Sequence, residues 1–190
     1  MAAIITNRQS HADSSWIPET MMPKISPRHY LLALLMSVLL FVAGCGGNTA
    51  SSPSTMEAAP DFNVALFEGG DFQLSAQKGK VVVINFFASW CVSCGEETPH
   101  LEKIYREYAP KPVAFLAIAV DDTERKAKEF LKKTGLTIPA GMDKTGKIKD
   151  AYGLYGMPTT FFIDKNGKIS YFHAGVVTEE LLKHEIDKLL

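Results

Sequence analysis

Residues 80–88, Lys-Val-Val-Val-Ile-Asn-Phe-Phe-Ala, are the stretch that most limits what this chain can become. β-Branched and aromatic side chains follow one another without alternation, the pattern of a strand covered on both faces at the centre of a sheet. The run leads directly into Ser89-Trp90-Cys91-Val92-Ser93-Cys94, and beyond it Leu101, Ile104, Tyr105 and Tyr108 recur at helical spacing. Two thiols therefore stand where a buried strand ends and a helix begins.

The chain from Pro60 onward fits around that unit. Residues 64–76 alternate apolar and polar side chains about Glu68-Gly69-Gly70, a hairpin signal. Residues 113–120 read as a second buried strand, 123–134 as an amphipathic helix and 147–154 as a short helix. A second hairpin turns at Lys165-Asn166-Gly167, and residues 178–190 form a closing helix with Thr178 as N-cap and Glu179 and Glu180 in its first turn. This order predicts an α/β sandwich without internal repeats, a central mixed β-sheet flanked by helices, opened by an N-terminal β-hairpin.

Residues 1–59 are of another kind. Tyr30–Val42 holds thirteen residues without a charge, preceded by Lys24, Arg28 and His29 and followed by Ala-Gly-Cys, the layout of a secretory signal. At ~1.5 Å per residue this stretch reaches roughly 20 Å, short of the ~30 Å hydrocarbon core, which disfavours a stable transmembrane span. Val42-Ala43-Gly44-Cys45 resembles the lipobox of bacterial lipoproteins, which implies a signal peptide over 1–44 and a lipidated Cys45; an uncleaved anchor with an incidental cysteine is the alternative. The first twenty residues add nothing a signal needs, and a start at Met21 or Met22 gives a signal of conventional length. Residues 45–59, small and polar, predict a flexible tether, with the folded domain from about Pro60.

With Cys45 lipidated, Cys91 and Cys94 are the remaining cysteines of the three, in a chain exported to a compartment that permits disulfides. A bridge between them closes so short a loop that it constrains little of the unfolded chain. Nor does a 190-residue chain that is 46% hydrophobic need such a staple. A zinc site needs about four ligands, and His100, His173 and His184 do not stand at finger-like spacing. Nucleic-acid binding has no support, because 20 basic and 21 acidic residues nearly cancel and no basic stripe is present. An inert disulfide and a zinc site are the bland readings; a redox-active pair is the stronger one.

Three segments together, Val81–Cys91, Cys94–Leu101 and Tyr155–Ile169, resemble the thioredoxin fold and, more narrowly, the exported TlpA-like/ResA-like thiol-disulfide oxidoreductases. The resemblance covers roughly residues 60–190. It implies a thioredoxin-like fold and a protein-disulfide oxidoreductase with no cofactor beyond the Cys91–Cys94 disulfide.

The chemistry follows from the residues. A thiolate is the attacking species in disulfide exchange, and a helix N-terminus favours it through unpaired N–H groups and the helix dipole. Cys91, the outer thiol, is the expected nucleophile; Cys94, about one turn in, is the expected resolving thiol. Val92 and Ser93 carry no charge, so a moderately reducing couple is expected. Cytosolic thioredoxins place a buried aspartate six residues before the first cysteine, where this chain has Asn85, which cannot titrate. Glu97, three residues after Cys94 on one helix, is the expected proton acceptor, and ResA-like proteins carry a glutamate at the matching position. The alternative is a solvated first-turn acid like Glu96.

The resemblance also implies a cis Met157–Pro158 bond facing the cysteines, with the Met157 backbone free to pair with an extended substrate, and a structural helix kink at Pro99. Trp90 is expected to cover the site and touch substrate, or simply to pack. His100 is out of phase with Cys91 on a helix. His173, with the two thiols, suggests a copper site, but Sco-type copper chaperones space their cysteines more widely. The Pro and Thr that mark thiol peroxidases are replaced by Ile84 and Ala88.

The expectation is thus a monomer, lipid-anchored to a bacterial membrane and facing the periplasm or cell exterior, that reduces disulfides in exported proteins. By family resemblance its electrons come from a membrane donor of the CcdA or DsbD type, and its clients are apocytochrome c or respiratory copper proteins. A copper-binding or delivery module using the same cysteines is the alternative.

Overall fold

The computed structural model describes residues 57–190. The expected signal peptide, the lipidated Cys45 and most of the tether lie outside the described residues. The last three tether positions do not behave as a linker. Ala59 N–H donates to the Gly167 carbonyl at 2.9 Å, Ile169 N–H donates to the Glu57 carbonyl at 2.9 Å, and Ala58 bridges Lys168. Ordered structure thus begins ahead of Pro60, because this backbone finds hydrogen-bond partners on the far hairpin.

The N-terminal hairpin pairs β1 (Asn63–Ala65) with β2 (Asp71–Gln73). Gly69 and Gly70 both have positive φ, 97° and 79°, which is why this turn calls for glycine. A short 3-10 turn, Leu74–Gln77, leads to β3 (Val81–Phe87), all seven residues of which are buried. Then follow α1 (Val92–Tyr108), β4 (Val113–Ala119), α2 (Glu124–Thr134), β5 (Ala140–Met142), α3 (Lys147–Ala151), β6 (Thr159–Ile163), β7 (Ile169–Ala174) and α4 (Glu179–Asp187). The five-stranded sheet has the order β5-β4-β3-β6-β7, parallel across β3, β4 and β5 and antiparallel across β3, β6 and β7. Strand β3 is central, as its unbroken apolar run predicts.

Alternation along β3 divides the core into two layers. Val83 and Phe87 point toward Leu101, Ile104 and Tyr108 of α1, Ala127 of α2, and Leu182 and Ile186 of α4. Val82, Ile84 and Phe86 point the other way, onto Phe62, Val64 and Phe72 of the N-terminal segment and Ile148 and Tyr152 of the α3 region. Asn85 falls in register with Val83 and Phe87 and so faces α1, the one polar side chain in this strand.

The predicted cap at Thr178 is present, its Oγ1 accepting from Leu181 N–H, and Thr123 Oγ1 caps α2 in the same way by accepting from Lys126 N–H. Strand β5 was not anticipated. Its three residues, Ala-Gly-Met, have too little length or period to announce a strand, and pairing with β4 creates it. On the other side of β5, Gly141 lets the N-terminal hairpin approach: a Cβ there would lie 2.5 Å from the Ala65 carbonyl oxygen. The helix expected over 147–154 stops at Ala151, and the closing helix stops at Asp187. Among the described residues no helix is long and apolar enough to cross a membrane.

Candidate active site

Strand β3 delivers the chain to the top of the sheet, and residues 88–91 turn it into α1. Asp122 fastens that turn, its carboxylate accepting from Ser89 N–H at 2.6 Å and from Ser89 Oγ at 2.9 Å. Trp90 donates its indole N–H to the Asp121 carbonyl at 3.0 Å and leaves its ring 61% exposed. Cys91 is the N-cap of α1, whose first helical residue is Val92.

Cys91 and Cys94 form a disulfide, with S–S 2.09 Å and Cα–Cα 5.3 Å. The two sulfurs differ in access: Cys91 is 8% exposed and Cys94 1%. Two donors surround the outer one. Cys94 N–H donates to Cys91 Sγ at 3.1 Å, and Ser93 Oγ lies 3.5 Å away. These are the groups that favour negative charge on the outer sulfur once the bond opens.

Glu97 is fully buried rather than a solvated first-turn acid like Glu96. Its place on α1 explains this, since it lies four, seven and eleven residues ahead of Leu101, Ile104 and Tyr108, on the stripe that faces the sheet. Oε1 accepts from Asn85 Nδ2 at 2.8 Å, and Oε2 accepts from Val177 N–H at 3.0 Å. Asn85 also donates to Thr160 Oγ1 at 3.0 Å across the β3–β6 register. Burial pushes the Glu97 carboxyl up to about 7, against the opposing pull of the two hydrogen bonds. Asn85, set aside in sequence as a residue that cannot titrate, is the donor that orients the residue that can. The signal was available: a polar side chain inside a fully buried strand must find a partner.

Opposite the helix, the Met157–Pro158 peptide is cis, and Gly175 N–H donates to the Pro158 carbonyl at 2.8 Å. Met157 packs against both core layers, and among the described residues its backbone groups have no hydrogen-bond partner. Pro99 lies inside α1. The discounted histidines stay away from the thiols: His100 pairs with Glu179 at 3.6 Å, and His173 sits opposite Thr160 on β7. Among the described residues no group of three or more His, Cys, Asp or Glu side chains could hold a metal ion.

Residues 54–190 match the Redoxin family. A thiol-disulfide oxidoreductase ResA of Geobacillus thermodenitrificans is 32% identical over 163 residues, covering 85% of this chain and 94% of that protein. The chain belongs to the redoxin family, among the ResA-like thiol-disulfide oxidoreductases. Another ResA, from Bacillus cereus, is 36% identical over 160 residues, covering 80% of this chain and 92% of its own length. Among solved structures, a protein of Chlorobium tepidum assigned as a DsbE thiol:disulfide interchange protein superposes with TM-score 0.68 at 31% identity, over 73% of this chain and 99% of that one. The thioredoxin-like fold expected from sequence is the fold observed. In this ResA-like chain Cys91 and Cys94 stand at disulfide distance in the Cys-x-x-Cys motif of a thiol-disulfide oxidoreductase.

Proposed function

We propose that this protein reduces disulfides in exported proteins while held at a membrane surface by a lipid on Cys45. The observation that carries the reductive chemistry is the buried Glu97, poised near neutrality one helical turn beyond the shielded thiol.

In the reduced protein, the Cys91 thiolate attacks one sulfur of a client disulfide. The client S–S bond breaks, one client thiolate departs, and Cys91 is left in a mixed disulfide. Cys94 then gives its proton to the Glu97 carboxylate, and its thiolate attacks Cys91 Sγ. The second client thiolate leaves and the Cys91–Cys94 bond forms. Two electrons pass to the client, and two protons end on its thiols, one by way of Glu97 and one from the water that received the Cys91 proton. The Met157 backbone pairs with the extended client segment beside the cysteines, and Trp90 supplies an exposed apolar face next to the nucleophile. A membrane dithiol donor of the CcdA or DsbD type returns the two electrons.

Support for export and anchoring comes from the charge-free run 30–42 and the Val-Ala-Gly-Cys that follows it. The family resemblance favours apocytochrome c or respiratory copper proteins as clients, with a monomer as the working unit. Expression of Cys94→Ala in cells tests the reading, because Cys91 can still attack but the adduct cannot resolve. Recovery of exported proteins disulfide-linked to Cys91 supports it. A free Cys91 without adducts, together with copper-loaded wild-type protein, overturns it in favour of a copper-binding module.

A further inference from the structure

A trough of about 690 Å³ opens beside the nucleophile, between the N-terminus of α1 and the outer face of α2. Its apolar part is Trp90, Val92 and Phe130. Val92 is 80% exposed, and Phe130 stacks on Phe87 with ring centroids 5.2 Å apart. Gly95 keeps the floor low, since a Cβ there would already touch Phe130 at 3.9 Å.

The unpaired charges that line this trough are cationic. Lys126 and Lys133 of α2 line it and have no ion-pair partner among the described residues. The carboxylate in the wall, Glu129, is engaged by Arg125 at 2.7 Å. At the far end of the turn, beyond the trough's lining, Asp121 pairs with Lys149, while Asp122 keeps its charge and is held by the neutral donors of Ser89. A chain whose overall charge is −1 thus presents two uncompensated cations next to its reactive sulfur.

We infer that this trough seats the client chain adjoining the attacked disulfide and selects clients with acidic residues there. The inference rests on the reductase reading and names its substrate class. Geometry sets the spacing. Lys126 and Lys133 lie seven positions apart on one helix, roughly 10 Å at ~1.5 Å per residue. An extended segment turns alternate side chains to the same face, so two carboxylates two positions and about 7 Å apart, with the splay of the long lysine side chains closing the remaining few Å, reach both ammonium groups. Trp90 and Val92 hold the apolar side chain between them. Charge complementarity of this exposed kind adds capture rate and selectivity more than it adds tight binding.

The test uses the full chain in its dithiol form and three synthetic peptides, each closed by one disulfide. They differ only in the two residues spaced as above, which are Glu, Gln or Lys. The expected kcat/KM order at low salt is Glu over Gln over Lys, with about a tenfold spread between the extremes that contracts at high salt. Lys126→Glu combined with Lys133→Glu reverses the order. Lys78→Glu, at the opposite end of β3, leaves it unchanged. Equal kcat/KM for all three peptides with the wild-type chain overturns the inference and leaves the reductase reading intact. Failure to reduce any of them overturns the reductase reading beneath it.

Discussion

Asn85 Nδ2 lies 2.8 Å from Glu97 Oε1, at the point where the central strand meets the redox helix, with both side chains closed off from water. The amide fixes which way the carboxyl faces, and the Val177 N–H holds its other oxygen. Burial raises the acid while these donors restrain it, so it titrates near 7 instead of remaining protonated throughout. A group so poised can take a proton from a thiol and release it again within one cycle.

Glu97→Gln should therefore change stability in a pH-dependent way. The folded carboxyl titrates at about 7, above its ordinary 4.5, so between those values the folded state keeps a proton that the unfolded chain has lost. Wild-type stability falls as pH rises through this window, by about 3 kcal/mol once the carboxyl is ionised. Glutamine has no proton to lose. Denaturant unfolding of the oxidised proteins should show the variant gaining on wild type between about pH 5 and about pH 8. A constant difference across that range sinks the assignment.

Asn85→Ala removes the donor and keeps the acid. The carboxyl should be pushed further up, moving the pH inflection of thiol exchange to higher pH, and the fold should lose about 2 kcal/mol for the unpaired oxygen. Stopped-flow rates across the pH range measure the first effect and urea unfolding the second. An inflection that stays in place separates Asn85 from the proton transfer.

Gly141→Ala tests the close approach of the N-terminal hairpin to β5. The added methyl meets the Ala65 carbonyl oxygen at 2.5 Å and Val64 Cγ2 at 2.9 Å, so the hairpin must move outward. A loss of about 2 kcal/mol is expected, with amide exchange accelerated at Leu66 and Phe67. Wild-type exchange at those two amides would show that the hairpin does not depend on this approach.

Tyr152→Phe probes the core layer away from the thiols. The hydroxyl donates to the Pro60 carbonyl at 3.0 Å from a ring that is 1% exposed. Its loss should cost about 1 kcal/mol and leave disulfide-exchange rates at the wild-type value. A change in those rates would mean that the two layers are coupled through β3.

The elements visible in sequence were those whose period or caps are local. The β3 run, the stripe Leu101-Ile104-Tyr108, Thr178 and the Gly69-Gly70 turn each carry their signal within a few residues. Strand β5 and the Ala58–Lys168 bridge have no such signal, because each exists only once a distant strand or turn is in place. At the site, the thiol pair and the helix start were legible. The tie from Asn85 to Glu97 lies between two apolar stripes that meet face to face, each interrupted by one of these residues. Reading each stripe alone hides a bond between them.

The same N-terminal segment attends to both borders of the five-stranded sheet. Leu66 bridges Gly141 and the Phe67 amide donates to the Ala140 carbonyl at 2.8 Å, while Glu57 and Ala58 engage the chain where β7 begins. A sheet border with idle amides is a template on which another copy can add a strand. In this protein residues 57–72 lie against part of each border, at β5 and at the root of β7, so a second copy meets backbone groups there that are already engaged.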